Sequence, residues 1–406
     1  MPWRRILCGV YCTHPNTMTI HDLPTPCLLI ENHRMITNLT RMQALADAHQ
    51  TQLRPHVKTH KSMQLAQKQL DFGAAGLTVA KVGEAETFAA LGVRDIRLAY
   101  PIVGAEKHAR LLRLMEQGVR VSFGVDTPEG ARAAADFYAG NGYEAEVLVE
   151  VDVNYGRTGV PWNRASSIDF VGFVRGLKGL RLAGIFCHAG QSYHGPEHEA
   201  ETLEDALARV AREERGMMLS FAARLQEAGW ANPEAFEISI GSTPSVKHYQ
   251  AQTRGGFRIT EIRPGNYIFH DGTQVGLGVC DWSDCALTVL TTVVSRQRTR
   301  SGKEKLYLDA GKKALTSDFR FGATGYGTLL YNPIRMVPHP HARITSLSEE
   351  HAWVEVSGGS TMEVGNRVRV VPNHACVSVH TQPEAWLVDG DQVLARIKIQ
   401  ARDGSQ

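Results

Sequence analysis

The chain has 406 residues, of which 43% are hydrophobic and 21% are charged. This composition is typical of a folded protein with a large buried core, and the length suits one large α/β domain followed by a smaller one. The 44 basic and 42 acidic residues leave a net charge of +2, which excludes the strong chain-wide field that holds nucleic acid or an anionic membrane.

Short apolar runs alternate with longer amphipathic segments from residue 25 onward, as they do in βα units on a parallel sheet. Eight runs are strand candidates: TPCLLI (25–30), LRPHVK (53–58), GLTVA (76–80), DIRLAY (95–100), VRVSFGV (119–125), AEVLVEVDV (145–153), LRLAGIFCH (180–188) and FEISIG (236–241). Helical spacing of apolar residues recurs between them at 85–91, 106–117, 128–140 and 197–228. The pattern predicts an α/β fold with a closed (β/α)8 TIM-type barrel over residues 25–265.

Helical periodicity ends after Pro264 and Gly265, and short alternating runs follow. These runs are ALTVLTTVVS, KLYLDAG, HAWVEVS, NRVRVV and QVLARIKIQ. They predict a β-rich C-terminal domain over residues 266–406, with residues 1–24 as an extension that packs on it and a frayed end at ARDGSQ.

The seven cysteines are scattered without regular spacing, which is typical of reduced thiols in the cytoplasm rather than of a disulfide framework. The apolar stretch near Met1 is too short for a signal peptide, and no run reaches the about 18 apolar residues of a membrane span. We therefore expect a cytoplasmic protein that binds neither a membrane nor nucleic acid.

Reactive side chains of such barrels lie at the C-terminal ends of the strands, where RPHVKTHK brings Lys58 and His60. Burial of a lysine at a strand end lowers its pKa toward a neutral, nucleophilic amine that can form a Schiff base. The alternative is a solvated cluster of lysines and histidines without catalytic function.

A turn of small residues, Gly241, Ser242 and Thr243, follows the last predicted strand and offers N–H groups and hydroxyls to a phosphate. Gly265 and Asn266 form a second turn that can complete this phosphate cup. Phosphate sites of TIM-type barrels lie late in the barrel, as these turns do. Each segment can equally be a turn without a ligand.

His374 and Cys376 alternate in a loop after NRVRVV. Imidazole and thiolate suit zinc, and a site with two protein ligands keeps positions open for water or substrate. The spacing is equally compatible with two unrelated residues.

Seven segments occur in the same order as in a known family: RPHVKTHK, VEVDVNYGRTG, HAGQSYH, ISIGSTPS, RPGNYIFHD, DAGKKALTSD and VPNHAC. From about residue 22 to residue 401 the chain resembles the D-serine dehydratase and D-threonine aldolase family, pyridoxal-phosphate enzymes with an alanine-racemase-like fold. The resemblance implies a Schiff-base lysine at Lys58 and a divalent metal, zinc or another divalent cation, at His374 and Cys376. It also implies a homodimer in which the β-domain of one chain helps to close the site of the other.

The resemblance further assigns Arg157 to the pyridine nitrogen, where a cation weakens the cofactor as an electron sink. The alternative for Arg157 is a salt bridge at the rim with an acid such as Asp152. Tyr193 and His188 follow the LRLAGIFCH strand and are candidates for the lining of the cofactor and substrate pocket, with core packing as the alternative. Asp309 belongs to a family motif, and the sequence gives it no chemical role.

Two reactions in this family begin with a D-3-hydroxy amino acid that displaces Lys58. A dehydratase removes the α-proton while zinc helps the 3-hydroxyl to leave, giving a 2-oxo acid and ammonia, whereas an aldolase breaks the Cα–Cβ bond and releases glycine. The resemblance favours a D-serine dehydratase because that branch carries H-x-C, as here, and the aldolases carry H-x-D. An aldolase for D-threonine or D-3-hydroxyaspartate, a racemase and a non-catalytic pyridoxal-phosphate-binding protein remain as alternatives.

Overall fold

Eight parallel strands form a barrel in the computed structural model, which describes residues 18–298, 304–358 and 360–406. In order around the ring they are Gln52–Leu53, Leu77–Val79, Asp95–Pro101, Arg120–Val125, Ala145–Asp152, Leu180–Cys187, Glu237–Ile240 and Glu261–Ile262. A parallel bridge between His56 and Thr78 joins the first strand to the second and closes the ring. The predicted barrel is confirmed.

Eight of the described helices pack around the barrel, and each except the first follows a barrel strand. Their bounds are Asn32–Ala48, Met63–Asp71, Val82–Ala90, Ala105–Glu116, Pro128–Gly140, Ala165–Gly176, Leu203–Glu227 and Thr243–Val246. The predicted helix at 197–228 begins later than expected because the Thr202 hydroxyl accepts a hydrogen bond from the Asp205 N–H at 3.1 Å and caps the helix there. Asn32–Ala48 precedes the first barrel strand and packs beside the short 3₁₀ turn Asn266–Ile268, which follows the last one.

A second, mostly antiparallel sheet forms the β-domain, and ten strands belong to it in the described part of the chain. They are Cys27–Glu31, Leu287–Arg298, Glu304–Leu308, Thr328–Asn332, Val337–Pro338, Ala342–Leu347, Ala352–Val356, Arg367–Val371, Glu384–Asp389 and Gln392–Lys398. The five runs predicted as strands after residue 265 all lie in this sheet. Short helices at Gly272–Gly276, Lys312–Leu315 and Ala375–His380 connect parts of the domain.

The first predicted barrel strand, TPCLLI, is wrong as a barrel strand. Cys27–Glu31 pairs with Leu287–Arg298 and Glu384–Asp389 in the β-domain sheet. Residues 28–31 are all buried, so the strand has the same continuous apolar run as a barrel strand, and the pattern does not show which sheet it joins. The strand that completes the barrel is Glu261–Ile262, which the apolar pattern missed because Glu261 is a buried charge.

Glu261 lies inside the barrel at the centre of a buried ionic network. Its carboxylate is 2.6 Å from Arg54 Nε and 2.6 Å from Arg97 Nη1, and it accepts a hydrogen bond from the Ser239 hydroxyl. Burial acts to raise the pKa of Glu261, but the two guanidinium groups outweigh burial and lower the pKa to about 2.

We expect Glu261→Gln to lower the free energy of unfolding by about 3–5 kcal/mol, because it leaves two buried arginines without their shared anion. The loss is expected to be full above pH 4.5, where the free carboxylate is ionised, and to shrink as the pH falls toward 2. Urea unfolding at several pH values measures it. The exposed control Glu116→Gln is expected to change stability by less than about 0.5 kcal/mol; an equal loss in both variants would contradict the network.

Both ends of the described chain pack on folded structure. Ile20 and Leu23 are buried against β-domain side chains, and the Ile20 N–H donates to the Asp391 carbonyl at 2.9 Å. The predicted extension also includes residues 1–17, which lie outside the described residues. The prediction that ARDGSQ frays is wrong, because the Ala401 N–H donates to the Lys61 carbonyl at 3.0 Å and Ala401 is fully buried.

Asp309 has a structural role that the sequence did not reveal. Its carboxylate accepts hydrogen bonds from the Thr25 hydroxyl at 2.6 Å, the Thr291 hydroxyl at 2.6 Å and the Thr292 N–H at 2.8 Å. These bonds hold the strand at Leu287–Arg298 to the chain that precedes Cys27–Glu31.

Two further findings concern the sequence-wide predictions. No helix within the described ranges is both long enough and apolar enough to cross a lipid bilayer. The five cysteines that the structure describes are free thiols, and Cys8 and Cys12 lie outside the described residues.

Candidate active site

A cavity of about 490 Å³ opens at the C-terminal ends of the barrel strands and is lined by both domains. Its volume lies in the range that binds cofactors and small ligands. It brings together almost all the predicted site residues: Lys58, Arg157, His188, Tyr193, Gly241, Ser242, Thr243, Gly265, Asn266, His374 and Cys376.

Lys58 lies in a single 3₁₀ turn, Val57–Thr59, directly after the first barrel strand. Its side chain extends into the cavity, where loss of hydration lowers the pKa of the amine, although the Cys376 thiolate opposes this shift. Burial also holds the pKa of the neighbouring His56 well below its usual range, so this imidazole is neutral. The Lys58 amine therefore loses its proton more readily than the amine of an exposed lysine, and the neutral amine is the nucleophilic form.

His60 is a correction to the predicted site, because it does not line the cavity. It is fully buried, with Nε2 at 3.0 Å from Gln69 Oε1 and Nδ1 accepting from the Ser62 N–H at 3.1 Å. Both ring nitrogens of His60 therefore take part in hydrogen bonds within the protein. The histidine of RPHVKTHK that reaches the cavity is His56, which the sequence analysis did not select.

The phosphate cup forms where two turns meet. The Asn266 N–H donates to the Thr243 hydroxyl at 3.0 Å, and Ser242 Oγ lies 2.8 Å from Ser192 Oγ. The lack of a side chain at Gly265 lets this turn lie close to residues 56–59, because a Cβ at position 265 would lie 3.0 Å from the His56 carbonyl oxygen and from Thr59 Oγ1.

Gly241 shapes the cup without offering its own donor. Its φ of +122° lies in the region that favours glycine, and its N–H donates to the buried Glu214 carboxylate at 2.9 Å. The donors of the cup therefore belong to the residues around Gly241 rather than to Gly241 itself.

His374 and Cys376 face Lys58 from the β-domain side of the cavity. Burial acts against a charge on His374, but the Cys376 thiolate and the Asp318 carboxylate prevail and raise the pKa of His374 to about 11. In turn, burial acts to raise the pKa of Cys376, but His374 outweighs it and lowers this pKa. Each of the two side chains thus favours the charged form of the other.

Asp318 and Thr59 complete the surroundings of this pair. His374 Nδ1 lies 2.5 Å from Asp318 Oδ2, and Thr59 Oγ1 lies 3.3 Å from Cys376 Sγ. The sequence analysis missed Asp318, although it closes the segment DAGKKALTSD. No cluster of three or more histidine, cysteine, aspartate or glutamate side chains suited to a metal occurs among the described residues.

Two arginines line the cavity in different ways. Arg157 has a side chain that is 48% exposed, and its nearest acid is Glu150 at 3.7 Å rather than Asp152. Arg263 is buried and fixed, with Nη2 donating to the Cys187 carbonyl at 2.5 Å and Nη1 to the Ser239 hydroxyl. The sequence analysis missed Arg263, which directly precedes the Pro-Gly-Asn turn.

Tyr155 forms one wall of the cavity, and Gly190 makes room for it. The Tyr155 N–H donates to Asp152 Oδ1 at 2.8 Å, and the Tyr155 ring lies where a Cβ on residue 190 would be.

Burial also affects two titratable side chains of the cavity. It raises the pKa of the Tyr193 phenol, so this phenol is protonated. Burial, followed by the charge of Lys58, lowers the pKa of His188 to about 3.

We expect Gly190→Ala to lower kcat/KM by about 10²-fold, because the new methyl group displaces the Tyr155 ring. Steady-state kinetics measures the effect, with thermal unfolding as a check on folding. The control Gly216→Ala lies in the helix Leu203–Glu227 with open space at its Cβ. Similar kinetic losses in both variants would contradict the steric argument.

Comparison with known proteins places the chain in a family. Residues 30–272 match the alanine racemase N-terminal domain, and residues 286–388 match a serine dehydratase domain. D-threo-3-hydroxyaspartate dehydratase of Delftia sp. (strain HT23) is 34% identical over 385 residues, which are 92% of this chain and 96% of that one. D-threonine aldolase of Arthrobacter sp. is 32% identical over 86% of this chain and 85% of that one.

Solved structures agree with the sequence comparison. The Delftia sp. HT23 dehydratase superposes with a TM-score of 0.83 at 31% identity, over 94% of this chain and 99% of that one. A variant of this dehydratase has also been solved in a metal-free form. The chain therefore belongs to the D-serine dehydratase and D-threonine aldolase family of pyridoxal-phosphate-dependent lyases, which have an alanine-racemase-like fold.

Proposed function

We propose that the chain is a pyridoxal-phosphate- and zinc-dependent dehydratase of D-3-hydroxy amino acids that converts D-serine to pyruvate and ammonia. The observation that carries this proposal is the position of the His374–Cys376 pair, which shares one cavity with Lys58. A base for the α-proton and the two side chains that would hold a metal therefore line the same cavity.

The cavity residues fit pyridoxal phosphate. Lys58 offers an amine to the aldehyde, and Ser242 and Thr243, which carry hydroxyl groups, line the same cavity as Gly241 and Gly265. When bound, this cofactor supplies an electron-withdrawing ring that stabilises negative charge at Cα.

The arginine beside the pyridine ring is an open choice between two residues. Arg157 keeps its predicted role as a candidate, but the fixed orientation of Arg263 makes the buried arginine the better partner for a rigid ring. Arg157 is half-exposed and free to bind the substrate carboxylate.

The His374–Cys376 pair fits a zinc ion with open coordination positions. Asp318 holds Nδ1 of the imidazole, which leaves the other ring nitrogen for a metal, and the lowered pKa of Cys376 favours the thiolate form that zinc binds. When bound, the metal supplies a Lewis acid that favours departure of a hydroxyl group.

The chain's own side chains divide the remaining tasks. Lys58 is the base for the α-proton, because no aspartate or glutamate belongs to the described cavity lining and His56 and His188 have strongly lowered pKa values. Tyr155 and Tyr193 form walls that hold the substrate and restrict water. The overall reaction is balanced: D-serine loses one water at the hydroxyl, and one water re-enters to release ammonia and pyruvate.

The names of the relatives support lyase chemistry on D-3-hydroxy amino acids and leave two further candidates. The 34% identity with a D-threo-3-hydroxyaspartate dehydratase favours the same dehydration with a second carboxylate on the substrate. The 32% identity with a D-threonine aldolase favours cleavage to glycine and an aldehyde.

We expect the purified holoenzyme to form pyruvate and ammonia from D-serine and none from L-serine or D-alanine. L-Serine lacks the required α-configuration, and D-alanine lacks the hydroxyl whose departure a bound metal would favour. Coupled 2-oxo-acid assay and amino-acid chromatography measure the products of D-serine, D-threonine and D-threo-3-hydroxyaspartate in parallel. Faster oxaloacetate formation from D-threo-3-hydroxyaspartate would change the preferred substrate, whereas glycine from D-threonine without 2-oxobutanoate would replace the dehydratase by an aldolase.

The homodimer remains a proposal, and exposed apolar side chains of the β-domain support it. Phe319, Tyr331 and Ile334 have exposed fractions of 71%, 67% and 68%. Phe319 directly follows Asp318, whose carboxylate contacts His374, so this exposed ring lies near the His374–Cys376 pair. A second chain is the proposed occupant.

A further inference from the structure

Asp271 connects the phosphate cup to the loop that carries His374 and Cys376. It is fully buried, and one oxygen, Oδ2, accepts hydrogen bonds from Asn266 Nδ2 at 2.5 Å and from the Ala375 N–H at 2.9 Å. Asn266 belongs to the cup, and Ala375 lies between the two predicted metal ligands. A single carboxylate oxygen therefore contacts both regions.

The other contacts of Asp271 make this connection rigid. Its second oxygen, Oδ1, accepts from the Gln274 N–H at 3.1 Å and caps the helix Gly272–Gly276. The first residues of this helix are bonded to the start of the metal loop, with the Gly272 N–H donating to the Pro372 carbonyl at 3.0 Å and the Thr273 hydroxyl to the Asn373 carbonyl at 2.7 Å. The cup, the helix Gly272–Gly276 and the segment from Pro372 to Ala375 therefore belong to one hydrogen-bonded network.

Asp271 itself does not line the cavity, so it acts only through its neighbours. Asn373, the residue before His374, donates through Nδ2 to the Asp318 carbonyl at 2.9 Å. The network that begins at the cup thus reaches both the backbone between the ligands and the residue that orients the His374 imidazole.

We infer that Asp271 is a positioning residue that couples the binding of pyridoxal phosphate to the binding of the metal, so that each strengthens the other. The inference rests on the proposed function, because it requires both groups to bind this chain. A phosphate in the cup fixes Asn266, which fixes Asp271 and, through the Ala375 N–H, the spacing of the ligand pair. Thermodynamic linkage requires the metal to improve cofactor affinity by the same factor.

The chemistry of the side chain explains why a carboxylate is needed at this position. Oδ2 accepts two donors while Oδ1 accepts a third, and an amide has only one oxygen, with its NH₂ group acting as a donor. Asp271→Asn therefore keeps the size of the side chain but places a donor against either the helix cap or the pair formed by Asn266 and Ala375.

The test measures four dissociation constants in wild-type protein and in Asp271→Asn. Pyridoxal phosphate is titrated by absorbance with chelator present or with saturating Zn²⁺, and Zn²⁺ is titrated against a chromophoric chelator with and without pyridoxal phosphate. We expect about a tenfold coupling in wild type in both directions, which is typical of allosteric coupling, and a factor near one in Asp271→Asn. Asn266→Ala, which removes the amide donor but leaves the helix cap, is expected to reduce the coupling in the same way if Asp271→Asn does not fold.

Asp309→Asn is the matched control, since Asp309 also accepts three hydrogen bonds but lies away from the cup and the metal loop. It is expected to lower stability while leaving the coupling factor at the wild-type value. A wild-type factor of one, an unchanged factor in folded Asp271→Asn, or an equal loss in Asp309→Asn would overturn the inference. Failure of the proposed function would look different, because wild-type protein would then not bind pyridoxal phosphate at Lys58 or would not bind Zn²⁺ at all.

Discussion

Replacement of Lys58 by alanine is expected to abolish turnover and covalent cofactor attachment together. Loss of the base alone costs about 10²–10⁴-fold in rate, and loss of the amine that holds the aldehyde adds to this. Lys58 lies in the turn that follows the first barrel strand, within a cavity that lowers the pKa of its amine. Absorbance of the bound cofactor and steady-state kinetics measure the two losses.

The site of attachment can be identified independently of activity. Borohydride reduction of the holoenzyme, followed by peptide sequencing, is expected to find pyridoxyl phosphate on Lys58. Lys58→Arg is expected to behave like Lys58→Ala, because a guanidinium does not form the Schiff base. Lys61→Arg is the control: Lys61 lies three residues away, pairs with Glu84 at 2.9 Å and does not line the cavity. Label on any lysine other than Lys58 would refute the assignment.

Removal of the metal is expected to abolish turnover without unfolding the protein. A site with two protein ligands adds less to folding than a four-ligand structural site, and one cluster of buried apolar side chains extends through both domains. Cys376→Ala is expected to reduce bound zinc to a small fraction of the protein concentration. Asp318→Asn, which keeps both ligands but weakens the orientation of His374, is expected to reduce metal affinity by about 10–100-fold.

Metal analysis and circular dichroism on the same samples separate loss of metal from loss of fold. Cys27→Ala serves as a control because Cys27 lies in the β-domain sheet and does not line the cavity. Added Zn²⁺ is expected to restore the chelated wild-type protein and, at higher concentration, Asp318→Asn, but not Cys376→Ala. Full activity in protein from which all metal has been removed would refute the Lewis-acid function.

The fold class followed from the sequence because burial leaves a direct pattern in it. Seven of the predicted barrel strands, from LRPHVK to FEISIG, lie in the barrel, since strands covered on both faces are continuous apolar runs. An apolar run indicates that a strand is buried, but it does not indicate which strands lie beside it. For this reason Cys27–Glu31 was predicted in the barrel, although it belongs to the β-domain sheet. Glu261–Ile262 was missed because its burial depends on an ion pair with arginines distant in the chain.

The site was predictable where chemistry coincides with a strand end and unpredictable where it depends on side-chain direction. Lys58, the cup turns and the His374–Cys376 pair all follow strands, and the structure brings them to one cavity. Within RPHVKTHK, however, only the 3₁₀ turn decides that His56 faces the cavity while His60 packs against Gln69.

The sequence by itself therefore determined the barrel, the β-domain and the residue types available for catalysis, because local periodicity and strand ends encode them. Only the tertiary structure decided that Arg263 is fixed in the cavity, that Asp318 orients His374 and that Asp271 joins the cup to the metal loop. These contacts join residues that are distant along the chain. A hydrogen bond forms only when its two atoms lie within a few ångströms of each other, and the packing of the helices and strands between the two residues sets that distance.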